Sequence, residues 1–514
     1  MLGLVALLLA ADPVVLEGPV PDAGEFFLVP FEVPAGTVEL RVLHDDLSSS
    51  NILDWGLLAP DGGFVGWGGG NSEPAEVSAT QASRSYRPAK LEPGTWQVLV
   101  GKALVTQQPA KFHLEIETRS FSLQSPRLRT PYVDAPALKR GARWWAGDMH
   151  VHSTESGDAR ASLQAIADLA ALRGLDFVAL SEHNTLSTHD FLVDAQVSSP
   201  AVLLVPSVEF TTYAGHLNVF GVTALPRFWF GVDGASFDGA MNEFASQRGV
   251  PTINHPTLDL GTFCIGCAWQ HPVDARFGAV EVGVGGWDET GSLFDESALA
   301  FWEAQAARGI HLAAVGGSDD HRAGEGRNQT QSALGSPTTL IFADELSVPA
   351  LLAGLKNGRT VVKLRGPDDP MLELKWDQSL SHSGDTVLAS ELDVTAVVTG
   401  GDGATLAWVE NGVTVREEKL SGARAESTFH LVAPEGNTAR LRAEVRVDQQ
   451  PRTVSSFVWL GTDASLPPAV STRRSSSCAT IEVLAWGAVV MLFRRRKVAP
   501  SPLERGEGRG EGPP

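Results

Sequence analysis

Apolar residues along this chain fall into three textures. From Val14 to about Ser120 they form short runs, residues 26–29, 38–43, 95–100 and 112–116, separated by Gly, Pro and Asp. Runs of strand length between turn residues such as Pro60-Asp61-Gly62-Gly63 and Glu92-Pro93-Gly94 predict an antiparallel β sandwich over residues 13–120. The Pro- and Arg-rich stretch 126–136 then marks a linker within 121–142. From 143 to 365 short apolar strands alternate with helical stretches. Strand ends are expected near His152, Glu182, Glu209, His255, Val282, Ser318 and Phe342, and helices over 162–173, 234–248, 296–308 and 347–357. Gly174, Gly249, Gly309 and Gly358 stand just past the last helical turns, where a left-handed cap is expected. Alternation of this kind predicts parallel β/α units, and seven strand ends favour a barrel over an open sheet. After Met371 the strand pattern returns at 372–376, 392–398, 405–410 and 439–447, predicting a second β sandwich over 371–462. Residues 463–477 read as a Pro/Ser/Arg spacer.

Composition narrows the class. At 514 residues, 43% hydrophobic and 20% charged, the chain is of multidomain, globular type. A formal net charge of -21 argues against nucleic acid or anionic lipid as the main partner, since both need clustered Lys and Arg. The two ends carry address-like patterns. The apolar run 2–9 followed by Ala10-Ala11-Asp12 resembles a secretory signal peptide over residues 1–11. At the other end Ser475-Ser476-Ser477-Cys478, the apolar run 483–493 and Arg494-Arg495-Arg496-Lys497 resemble a MYXO-CTERM sorting tail. Residues 478–497 are therefore expected to be a sorting or membrane segment, with a disordered tail over 498–514. The apolar run is short of the roughly 20 residues that span a bilayer. Together these ends predict export, to the cell surface or outer membrane or into the medium, with possible anchoring through the C-terminal tail.

Candidate chemistry begins at Gly147-Asp148-Met149-His150-Val151-His152-Ser153. Side chains two apart in a strand share a face, so His150 and His152 can converge on one cation. Taken alone, such a pair is equally well a pair of surface histidines. Four later segments favour the metal reading: Ser181-Glu182-His183-Asn184, Val208-Glu209 with Gly215-His216, Asn254-His255-Pro256, and Gly316-Gly317-Ser318-Asp319-Asp320-His321. Each puts imidazole or carboxylate at a predicted strand end. In a barrel of parallel strands, all of these ends share the reactive face.

This motif series resembles the PHP (polymerase and histidinol phosphatase) domain, and its wording is most similar to the CehA/McbA-type metallohydrolases. The resemblance covers nearly all of 143–365. It implies a distorted (β/α)7 barrel, two or three divalent ions (Zn, Mn or Fe), and hydrolysis of phosphoester or related ester bonds. Carried over by motif, His150, His152, Glu209 and Asp319 hold one ion, and Glu209 bridges to others held by His216, His255 and His321. Glu182 and His183 stand where the family has an Asp–His pair. Gly157 occupies the family's usual Asp position, and Asp158 follows it as the candidate ligand. Glu209 and Asp319 are the candidate catalytic residues.

Bound divalent ions activate water directly, so no Ser or Cys nucleophile is required. The chain has no nucleophile elbow, phosphate-cradling loop or dinucleotide fingerprint. Arg322 and Arg327, and more remotely Lys363 and Arg365, are candidates to orient an anionic substrate. Cys264-Ile265-Gly266-Cys267 is open between a local disulfide, favoured in an exported chain, and a small zinc site completed by His271. The sequence thus predicts an exported metal-dependent hydrolase of small-molecule or surface-derived esters, with phosphoesters first and an ester or carbamate second. The rival class is a non-catalytic surface binding module with structural metal.

Overall fold

A computed structural model describes residues 12–285, 291–324, 333–376, 383–434 and 437–461. The signal-like segment, the spacer, the sorting-type tail and Arg327 lie outside these residues. Among the described residues no helix is long and apolar enough to cross a membrane.

The fold is multidomain and rich in strands. In the N-terminal segment the alternation of apolar and polar positions produces two four-stranded antiparallel sheets. One orders Val14–Pro19, Lys111–Arg119, Glu39–Asp45 and Ala75–Ser78; the other orders Phe26–Val33, Gly94–Leu104, Ile52–Leu58 and Phe64–Gly69. Their inner faces share one core that includes Leu40, Trp55, Trp96 and Leu114. The C-terminal segment has a separate core around Leu374, Trp408 and Leu441. Its strand Gln450–Ser455 pairs edge to edge with Thr360–Lys363, so the C-terminal strands extend a central sheet.

The central region differs from a ring of parallel strands. Lys139–Val151, Phe177–Leu180 and Leu203–Pro206 run parallel, but Thr338–Leu346 runs antiparallel to the first of these. A second sheet holds Glu209–Thr212, Gly215–Phe220, Val250–Ile253, Ala279–Val284 and Ala313–Gly317, of which Gly215–Phe220 runs antiparallel to both its neighbours while the last three pair in parallel. The reason is local. Tyr213 and Ala214 leave no room for a helical crossover, so Glu209 opens a hairpin strand rather than ending a parallel one. The two sheets join through single bridges between His183 and Glu209 and between Val151 and Asp320.

Helices lie at Leu163–Leu172, His189–Ser198, Phe237–Ser246, Gly291–Ala307 and Val348–Lys356. The second was not expected from the pattern. Ser162, Ser236 and Ser347 cap three of them by accepting from the backbone two or three residues into the helix. Gly174, Gly309 and Gly358 take the left-handed conformation expected of stops. Gly249 does not, because its helix ends earlier, at Ser246.

The 121–137 stretch has no regular structure but is strapped down. Arg127 and Arg129 lie over the Phe191 ring, and Arg129 pairs with Asp190 at 2.9 Å. The N-terminal sheets share an apolar cluster with the central region, in which Trp67 meets Phe228 at 4.9 Å between ring centroids.

Gly317 shows how tightly the central strand ends are packed: an added Cβ would sit 2.3 Å from the His150 Cβ. Gly317→Ala is expected to lower the unfolding free energy by about 1–3 kcal/mol, read from a urea titration. An unchanged midpoint would contradict this packing.

Candidate metal centre

Lys139–Val151 delivers His150 at its end and His152 just beyond, on one face. Asp148, fully buried, fixes this end by accepting from the backbone N–H groups of His150 (3.1 Å), Ser318 (2.9 Å) and Gly335 (2.6 Å). Burial pushes its carboxyl up to about 6 against those hydrogen bonds. Backbone bonds from Asp319 to His150 O and from His152 to Asp320 O, both 2.9 Å, lock the two strand ends together. Asp319 (φ 54°) and His255 (φ 24°) adopt positive φ, a strained conformation for residues with side chains.

Four donor atoms from three chain segments meet here. His150 Nε2 and His152 Nε2 are 3.1 Å apart. Asp319 Oδ1 lies 3.3 and 3.1 Å from them, and Glu209 Oε2 lies 3.4 and 3.5 Å from them. Donors about 2.0–2.1 Å from a tetrahedral zinc ion are separated by roughly 3.3 Å. These five donor–donor distances are therefore of the length that shared ligation requires. Glu209 Oε2 and Asp319 Oδ1 are also buried with no hydrogen-bond partner among the described residues. A buried carboxylate oxygen without a partner is unfavourable, and a cation at the centre of these donors would satisfy both.

Two further groups adjoin the first. Glu209 Oε1 lies 3.2 Å from His216 Nδ1 and 3.5 Å from His255 Nε2, and Asn254 Nδ2 donates to it at 2.9 Å. Asp158 Oδ2 lies 3.3 Å from both His183 Nε2 and His321 Nε2. Each group satisfies the proximity that metal ligation needs.

The second nitrogen of these rings is used to aim the first. His150 Nδ1 meets Glu281 at 2.9 Å, His152 Nδ1 meets Ser156 Oγ at 3.3 Å, and His321 Nδ1 meets the Asp319 carbonyl at 2.8 Å. His216 Nε2 and His255 Nδ1 meet the carbonyls of Ile265 and Cys267 at 3.1 and 3.3 Å. A ring N–H spent on an outer acceptor turns the other nitrogen's lone pair inward, which is how metal-binding imidazoles are oriented.

Electrostatics agree. Burial would raise Glu209 and Asp319, but the facing imidazoles, His150 foremost, hold both well below the usual carboxylate range. Burial opposes protonation of His150 and His183, yet the adjacent carboxylates hold both well above the usual imidazole range. His321 is carried up to about 9 against burial, chiefly by Asp158. His152 is pushed down to about 3 by burial and by His321 and His183.

The structure corrects several sequence expectations. Glu182 does not join the donors: its carboxylate accepts from Ser153 Oγ and Thr188 Oγ1, each at 2.6 Å, and burial pushes it up to about 7. Its neighbour His183 faces inward, so the strand's alternation places the pair on opposite sides. His321 groups with Asp158 and His183 rather than with His216 and His255. Asp158 reaches the group one residue late because Gly157 is pressed against the N-terminal segment; a Cβ there would lie 2.4 Å from Gly68 O. Arg322 is exposed and does not line the cleft beside the donors. Lys363 is spent on the Pro367 carbonyl and Arg365 on Asp295. Cys264 and Cys267 are joined as a disulfide, while His271 turns away to stack on Phe237.

Glu281 is the residue sequence reasoning missed. Besides His150 it accepts from the His255 backbone N–H at 2.7 Å, so one carboxylate supports two donor segments. Its signal was a single Glu inside the apolar strand Ala279–Val284.

No protein-family model and no curated protein matches the chain. Among solved structures it is similar to a two-domain protein from Bacteroides vulgatus containing a predicted PHP-like metal-dependent phosphoesterase (18% identity, 65% of this chain and 100% of that one, TM-score 0.36). It is also similar to an amidohydrolase from Chromobacterium violaceum with bound sulfate and no metal (16%, 36% and 91%, 0.24). A third is a candidate metal-dependent phosphoesterase from Bifidobacterium adolescentis (13%, 36% and 92%, 0.25). These likenesses are remote, and the functional reading rests on the donor groups themselves.

Two outcomes follow from the geometry. Glu281→Gln is expected to weaken metal affinity about 10–100-fold, whereas Glu182→Gln keeps native metal content; equal losses in a metal titration would contradict the assignment. Because the adjacent carboxylates raise the proton affinity of His150, His183 and His321, metal loading there is expected to release protons, and affinity to fall as pH drops. Calorimetry in two buffers of different ionisation enthalpy reads this directly, and no buffer dependence would contradict it.

Proposed function

We propose that this chain is an exported metal-dependent hydrolase acting on phosphoester bonds, built on a distorted (β/α)7 PHP-type barrel between two β sandwiches. The observation that carries the reading is the meeting of His150, His152 and Asp319 within 3.3 Å of one another beside the buried Glu209 carboxylate. When bound, two or three divalent ions would supply an activated water and offset charge on the displaced oxygen. His and carboxylate donors suit Zn, Mn or Fe.

The chain's own residues divide the remaining work. Glu209 shares its two oxygens between neighbouring donor groups, and Asn254 fixes which oxygen faces which. The Asp319 side chain is 26% exposed while His150 and His152 are fully buried, so its carboxylate is the group of the first set best placed to take a proton from attacking water. Asp158 and His183 line the cleft and His321 lies beside Asp158, so a cation held by this group would face the substrate's ester oxygen. Export is supported by the two terminal patterns and by the Cys264–Cys267 disulfide, a bond that persists in oxidising compartments. A carboxylic ester or carbamate hydrolase is the second reading, favoured by the absence of Lys and Arg among the described residues lining the cleft.

Chelation followed by manganese or zinc add-back, assayed on nitrophenyl phosphate, a nitrophenyl phosphodiester and nitrophenyl acetate, tests the reading. Metal-dependent turnover strongest on a phosphoester is expected, and Glu209→Gln should remove it. Metal-dependent melting with no turnover of any substrate would favour the surface binding module instead.

A further inference from the structure

We infer that the face of the N-terminal segment formed by Ile52, Asp54 and the Trp67–Asn71 turn is the specificity wall of the cleft, selecting substrates whose non-reacting group is uncharged and apolar. The inference rests on the hydrolase reading and names its substrate class.

A cleft of about 530 Å³ runs from Asp158, His183 and His216 outward to this face. Its far wall is held in register with the donors. Gly157 lies against Gly68, which also accepts from Asn71 Nδ2 at 2.7 Å. Tyr213 donates to Asp54 Oδ2 at 2.8 Å, Ser85 Oγ to the Glu155 carbonyl at 2.8 Å, and Arg84 to the Ala159 carbonyl at 2.8 Å. Trp67 is seated in the shared aromatic cluster against Phe228. A wall tied at this many points keeps its shape without substrate, which is what selectivity by fit requires.

The chemistry of the lining sets what fits. Ile52, Trp67, Phe263 and Ile265 present apolar surface, and Phe263 at the rim is 94% exposed. A large side chain that open, beside a cleft, gains by covering an apolar ligand group. Among the described residues lining the cleft, the carboxylate outside the donor groups is Asp54, which burial pushes up to about 6, and no Lys or Arg is present. A second anionic group on the substrate would face the Asp54 carboxylate and meet no cationic side chain among the described residues, whereas an aryl or alkyl group would find apolar contact. Dianionic monoesters and substrates with a remote carboxylate or phosphate are thereby disfavoured. Monoanionic diesters with an apolar second group are favoured.

The test uses the full chain reloaded with metal and three diesters sharing one leaving group: methyl, phenyl and 4-carboxyphenyl 4-nitrophenyl phosphate. The phenyl diester is expected to show kcat/KM about 10-fold or more above both others. Ile52→Ala and the surface variant Phe263→Ala should shrink the phenyl advantage, mainly through KM. Asp54→Asn should narrow the gap between phenyl and 4-carboxyphenyl by about 3-fold or more. Equal kcat/KM for all three diesters, or ratios unmoved by these variants, would overturn the inference while leaving the hydrolase reading intact. Metal-dependent turnover of none of them would overturn both.

Discussion

One buried carboxylate, that of Glu209, holds the centre of this molecule together. Its backbone bridges the two central sheets, donating to the Glu182 carbonyl at 3.0 Å and accepting from Asn184 at 2.9 Å. Its side chain lies within 3.5 Å of a nitrogen on each of His150, His152, His183, His216 and His255. Taking an ionised carboxylate out of water costs several kcal/mol unless it is paired, and here the facing groups are imidazoles oriented by outer partners. His150 and His183, held above the usual imidazole range by the adjacent carboxylates, offset part of that charge in the metal-free chain. A cation would balance it with every donor satisfied.

The surrounding structure serves to keep these donors close. Gly316 and Gly317 let one strand end lie directly against another, and Asp148 gathers three backbone N–H groups beneath them. Glu281 supports His150 by its side chain and His255 by its backbone. On the outer side, the loop closed by Cys264 and Cys267 contributes the carbonyls that aim His216 and His255. The N-terminal segment closes one flank of the donors through aromatic packing and through the contact of Gly157 with Gly68. The flanking sheets are therefore part of the site's framework as well as its neighbours in sequence.

Much of this was legible in the chain, for a physical reason. A ligand must stand where its strand ends and its side chain can turn toward a common point, so His-x-His, Asp-x-His and isolated Glu or His at the ends of apolar runs were visible without coordinates. Side-chain facing was not. Glu182 and His183 are adjacent, and only the three-dimensional strand shows that Ser153 and Thr188 take the first while the second turns inward. Glu281 was hidden because a carboxylate within a buried strand looks like an interruption of the pattern, not part of the site. Strand direction was also hidden: the short turn at Tyr213 and Ala214 makes a hairpin where regular β/α alternation would have made a crossover. Likewise the apolar periodicity of His189–Ser198 is weak, because that helix carries polar residues on its buried side, including His189 and Asp190.

The central claim is that His150, His152, Glu209 and Asp319 enclose a cation. Anomalous diffraction from crystals of the full chain grown with zinc or manganese measures this directly. The account predicts a strong peak about 2.0–2.2 Å from His150 Nε2, His152 Nε2, Asp319 Oδ1 and Glu209 Oε2, with further density beside His216 and His255 or beside Asp158. A metal-loaded crystal with no peak among those four atoms would contradict it.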